Sequence, residues 1–151
     1  MSGTVFDSSC ELPAEKARKR VNCNRHYPFQ ENFRWKGVKV TEYKDRGDDW
    51  AGIARQVLIG GSGETSGFHL RYFEISSGGY SSFEVHKHEH VVICVRGKGR
   101  AKIDRRHITM NFLDVLYIKP DAPHRLNNPY NEPFGFFCII NAKRDRPRPV
   151  R

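Results

Sequence analysis

The stretch that decides the reading is Glu84-Val85-His86-Lys87-His88-Glu89-His90-Val91-Val92-Ile93-Cys94-Val95. An extended strand has a period of two, so Glu84, His86, His88 and His90 share one face, and Val85, Lys87, Glu89 and Val91 share the other. The apolar run at 91–95 then carries the strand into a packed interior. Three imidazoles and a carboxylate on one face of a buried strand are costly to desolvate if left unpaired. A divalent transition metal (Fe, Mn, Zn, Ni or Cu) relieves that cost, because it takes neutral imidazole and carboxylate ligands. A further donor, His124, follows Pro120-Asp121-Ala122-Pro123, where two prolines rigidify a turn and fix the direction in which the histidine leaves it.

Outward from this stretch the chain reads as strand after strand. Residues 37–43 (GVKVTEY), 53–59 (IARQVLI), 68–75 (FHLRYFEI), 81–86 (SSFEVH) and 90–97 (HVVICVRG) are followed by 100–104 (RAKID), 107–110 (HITM), 114–120 (DVLYIKP) and 135–141 (GFFCIIN). Gly, Pro, Asn and Asp separate them. Short strands spaced this way predict an all-β antiparallel sandwich or barrel. Three units are expected: an arm at 1–36, a barrel at 37–142 and a basic tail at 143–151. Pro13 followed by AEKARKRV predicts one short helix in the arm, and NRHYPFQENFRW an irregular wrap. Either the set Phe136, Cys138 and Ile140 or the set Phe137, Ile139 and Asn141 lines the interior; parity alone leaves both open. Cys94 shares parity with His86 and His90 and reads as core filler. His26, His69 and His107 carry no ligand pattern.

The central stretch resembles the first motif of the cupin superfamily, G(X)5HXH(X)3,4E(X)6G. Here Gly78, five residues, Glu84, one residue, His86, three residues, His90, six residues and Gly97 keep every gap. Glu84 stands where the motif has its first histidine, and His90 where it has glutamate. The segment from Asp114 to Asn127 is similar to the second motif, which carries one further histidine after a proline-rich turn. The resemblance implies a double-stranded β-helix (jelly-roll) barrel and a metal held by Glu84, His86, His90 and His124. A regular strand would let His88 replace Glu84 or His90. It also implies a small metalloenzyme, dioxygenase-like or isomerase- or lyase-like, acting on a small organic substrate. A non-catalytic metal- or metabolite-binding module is the alternative.

The chain has 151 residues, 26 Lys and Arg against 17 Asp and Glu, and a net charge of +9. The excess sits largely between Lys16 and Arg25 and in the tail from Lys143 to Arg151. Such runs bind phosphate or solubilise termini, but neither an aromatic-studded basic strand nor a recognition-helix pattern argues for nucleic acid. Apolar runs of about five residues exclude a membrane-spanning helix, which needs about 20. The N-terminus lacks a signal-like apolar stretch, so a cytoplasmic location is expected. Cys10, Cys23, Cys94 and Cys138 show no paired spacing and are expected to be reduced. Tyr27, Phe29, Phe33 and Trp35 need burial on their own barrel or on a partner, and we expect a homodimer through the arm or residues 37–59. Ordinary imidazole pKa values of about 6.5 predict metal loss between about pH 7 and 5.

Overall fold

The computed structural model describes residues 22–42 and 51–150, so the helix expected after Pro13 lies outside the described residues. Among the described residues there are eleven strands and no helix. In chain order they are β1 (Val40–Glu42), β2 (Ala51–Ile59), β3 (Phe68–Tyr80), β4 (Glu84–Val85) and β5 (His90–Arg96). Then come β6 (Gly99–Ile103), β7 (Arg106–Met110), β8 (Val115–Ile118), β9 (His124–Asn127), β10 (Phe134–Asn141) and β11 (Arg148–Pro149). All pairings are antiparallel. One wall runs β1-β2-β3-β10-β5-β8 and the other β11-β4-β9-β6-β7. The long β3 joins them: Arg71 pairs with both Val57 and Cys138, while Tyr80 at its far end pairs with Asn127 on β9. The result is the nearly closed jelly-roll barrel expected from the sequence.

Alternation places the core. Phe134, Phe136, Cys138 and Ile140 point inward from β10 and meet Phe73 and Ile75 of β3 and Val92 and Cys94 of β5. This settles the parity question in favour of the first set. Phe137 faces outward, and the arm covers it there. Trp35 packs on both Phe137 and Tyr72, Phe33 stacks on Tyr72 at 5.6 Å, and Gln56 Nε2 donates to the Phe33 carbonyl at 2.8 Å. Phe33 and Trp35 are thus half-buried against their own barrel, while Phe29 remains exposed.

Three departures from the sequence reading matter for the site. The extended course from Glu84 to His90 that would put all three histidines on one face is broken: β4 ends at Val85, residues 86–89 bend, and β5 starts at His90. Two short strands appear that periodicity did not mark, β9 directly after the proline turn and β11 in the tail, where Arg148 pairs with Val85. Finally, Cys94 and Cys138 are free and buried, but Cys23 is disulfide-bonded, so four reduced thiols is corrected at that position.

Candidate metal centre

Three local devices bring imidazoles together. The bend after β4 turns His86 inward, and Asp145 from the tail holds that bend by accepting the backbone N–H groups of Lys87 at 2.9 Å and His88 at 3.1 Å. His90, the first residue of β5, pairs with Ile140 on one side and Ile118 on the other, which sets it at the cavity end of the strand. The turn at 120–123 is tied to the first device, because Asp121 N–H donates to the His86 carbonyl at 2.9 Å. It then delivers His124 into β9, opposite Glu84 and Ile103. One ring nitrogen from each of His86, His90 and His124 lies within 4.8 Å of the others.

The second ring nitrogens are already engaged. His86 Nδ1–H donates to the His88 carbonyl at 2.7 Å and His124 Nδ1–H to the Ala122 carbonyl at 2.8 Å, an assignment made from the acceptors they face. Both therefore direct an Nε2 lone pair at the cluster, the arrangement by which backbone acceptors orient metal-binding imidazoles. His90 Nε2 stands 2.7 Å from His86 Nε2, and two ring nitrogens this close need a shared proton or a shared cation between them. A divalent transition metal fits this donor set, and three protein nitrogens leave coordination positions for a substrate.

Burial keeps these rings neutral, which is the form a metal requires. It pushes His90 down to about 2, helped by the charges of His124, His86 and Arg71. It also lowers His86, where His88 adds to the effect, and His124, where the Ala122 bond and Glu84 pull the other way. The pH window for proton competition is therefore shifted downward from the one that ordinary imidazoles predict.

His90 and His124 open on a cavity of about 60 Å³ also lined by Arg71, Phe73, Glu84, Phe136 and Cys138 among others. Glu84 shares this cavity, and its charge reaches His86 and His124, but the tight cluster consists of the three imidazoles. His88 is drawn aside. Its ring lies parallel to His86 at 3.6 Å, and its Nδ1 meets Asp145 Oδ1 at 3.0 Å. His107 and His26 are exposed, while His69 pairs with Arg144 at 3.2 Å. Two residues that the sequence reading passed over belong to the site. Arg71 shares inward parity with Phe73 and Ile75, so a charge on an apolar face was the available signal. Asp145 had none, since nothing in the tail's composition marks it as a brace for the bend.

An antiparallel barrel that gathers three imidazoles at one end of its interior defines a class of small metal-site barrels. A family model described as a cupin domain matches residues 71–140. The 1-methylthio-D-xylulose 5-phosphate methylsulfurylase of Rhodospirillum rubrum is 38% identical over 122 residues, 80% of this chain and 77% of that protein. A solved cupin-2 domain from R. rubrum superposes with a TM-score of 0.74 at 36% identity, covering 83% of this chain and 84% of that one. A cupin-2 conserved barrel protein from Rhodopseudomonas palustris gives 0.78 at 30% identity, covering 84% and 87%. The chain belongs to the cupin-2 family. Among the described residues no helix is long and apolar enough to cross a membrane.

Proposed function

We propose that this chain is a metal-dependent cupin enzyme that acts on a small phosphorylated ketose carrying a methylthio group. The observation that carries the reading is a cluster of His86, His90 and His124, two of which line one cavity with Arg71 and Cys138, in a chain similar to the methylsulfurylase over most of both lengths. The metal is a divalent transition ion, with Fe, Mn, Zn, Ni and Cu all suited to imidazole donors. The three imidazoles are its ligands, with Glu84 lining the same cavity and His88 held aside by Asp145. When bound, it would polarise a ketone oxygen and favour the enolate that forms when a neighbouring carbon loses a substituent.

The chain's own residues do the rest. Phe73, Phe136, Val92 and Ile118 exclude water from the reacting carbon. Cys138 presents its sulfur to the cavity, 3.1 Å from His90 Nδ1 and 3.4 Å from Arg71 Nη2, and is the candidate acceptor for the methylthio group. Attack by this sulfur on the methylthio sulfur forms an S–S bond and breaks the C–S bond. The electron pair passes into the enolate, which takes up a proton, and an added thiol then releases the methylthio group from Cys138. Burial holds the thiol above its ordinary pKa, and the Arg71 guanidinium works against that rise.

The test is metal-loaded protein with 1-methylthio-D-xylulose 5-phosphate and dithiothreitol, with loss of the methylthio group followed by mass spectrometry. Metal-dependent turnover supports the reading. Stoichiometric metal without turnover returns the chain to the binding-module alternative, and dioxygen uptake in the same assay points to the dioxygenase-like one. The reading includes a cytoplasmic homodimer. The exposed Phe112, Leu113, Val115 and Tyr117 around edge strand β8 offer a face for the second copy.

A further inference from the structure

We propose that Arg71 is the oxyanion subsite of the cavity, and that its guanidinium holds the phosphate of a phosphorylated substrate. The identity of that substrate rests on the function proposed above; the subsite itself rests on the geometry of Arg71.

Arg71 is 92% buried, at 8% exposure, on an inward-facing position of β3. A guanidinium stays protonated in any protein environment, so its charge cannot be shed on burial. Buried charges are ordinarily matched by a carboxylate, and this chain does so elsewhere: Arg96 meets Glu74 at 2.9 Å and Arg25 meets Glu64 at 3.5 Å. Arg71 has no such partner among the described residues. Its contacts are one N–H to Cys138 Sγ at 3.4 Å and the face of Phe73 at 4.8 Å, while Nε has no hydrogen-bond partner.

The charge is therefore aimed into the cavity with donors to spare. Arg144 adds to the positive potential there, since both arginines act on Cys138 and His69. A guanidinium fork matches a phosphate bidentately, with charge-assisted bonds of the stronger kind. One thiol, Cys138, separates the guanidinium from the His90 ring. A ligand spanning that distance would place its oxyanion on Arg71 and its reacting end beside the imidazoles. A carboxylate offers the same fork-matching chemistry, so the ligands tested must separate the phosphate from the sugar.

The experiment is calorimetric titration of the full-length, metal-loaded protein with D-xylulose 5-phosphate, D-xylulose and inorganic phosphate, for wild type, Arg71→Gln and Arg71→Lys. Wild type should bind the phosphate ester about 10-fold or more tighter than the free sugar. Arg71→Gln should lose that preference and its affinity for inorganic phosphate, while binding D-xylulose as wild type does. Arg71→Lys should keep part of both. In phosphate-free buffer Arg71→Gln should melt at or above wild type, because it removes an uncompensated buried charge. Three results would overturn the subsite: a wild type that does not prefer the ester, an Arg71→Gln variant that still does, or a variant that melts well below wild type. Absence of turnover with ester preference intact would instead overturn the enzyme reading alone.

Discussion

Cys94 and Cys138 lie on neighbouring strands, two rungs apart along the β5–β10 ladder, and both are free and fully buried. Their surroundings divide the barrel into two ends. Around Cys94 the interior is closed and apolar, with Phe134, Ala101 and Met110 in the same core and the thiol hydrogen-bonded to the Arg96 and Gly97 carbonyls. Around Cys138 the same strands carry His90, face Arg71 and enclose a cavity. One residue type with one burial thus performs two tasks. The closed end supplies folding free energy by excluding water completely, and the open end spends part of the interior on polar groups that only a metal and a ligand can fully satisfy.

Substitutions should separate the two ends, and the closed end should give the largest effects. Phe134 has no exposed surface, and it packs so tightly on Gly99 that a Cβ there would collide with its ring. Phe134→Ala should cost about 3–5 kcal/mol in denaturant unfolding. Metal bound per folded chain should be unchanged. A loss of metal at retained stability would break the division.

The cysteines give the next effect. Cys138→Ser should abolish methylthio transfer while keeping metal content and fold, whereas Cys94→Ser should leave turnover intact and cost about 1–3 kcal/mol by burying a hydroxyl. Comparable turnover losses in both variants would show that the thiols act through packing alone.

Acid should strain the open end. Burial depresses the folded-state pKa of His86, His90 and His124, so below about 6.5 the unfolded chain binds more protons than the folded one, and stability falls as pH falls. Because these shifts run downward, protons compete with the metal less over that range than they would at ordinary imidazoles. Melting curves of holo and chelator-treated protein should therefore drop together between about pH 7 and 5, with a nearly constant gap. A gap that closes steeply over that range would mean ordinary, exposed imidazoles.

The smallest effect belongs to the brace. The N–H groups of Lys87 and His88 hold the Asp145 carboxyl well below the usual carboxylate range. Asp145→Asn should lower metal affinity modestly by loosening the bend that aims His86, with little change in melting temperature. An unchanged affinity would show that β4 and the proline turn position His86 unaided.

How much of this was legible in the sequence follows from what each signal measures. Period-two alternation marked β2, β3, β5 and β10 because those strands each have one buried face. The fixed gaps from Gly78 to Gly97 located the histidines, and Gly97, at φ +60 against the Pro133 carbonyl, shows why a side chain is not accommodated at that gap. Alternation failed at 86–89 because it assumes an extended chain. The bend there sends His86 to the cluster and His88 to Asp145, 57 residues away, and a contact of that range leaves no local trace. β9 escaped because four residues after two prolines are too few to show a period. Arg71 was hidden inside a strand pattern read only for its apolar members.

The central claim is that His86, His90 and His124 form one metal centre. Its most direct test is elemental analysis of wild type and His124→Ala, both purified without chelators and both shown to be folded by their melting curves. The account expects about one transition-metal ion per wild-type chain and almost none in the variant. Equal metal in the two proteins, or none in either after loading with divalent ions, would contradict it.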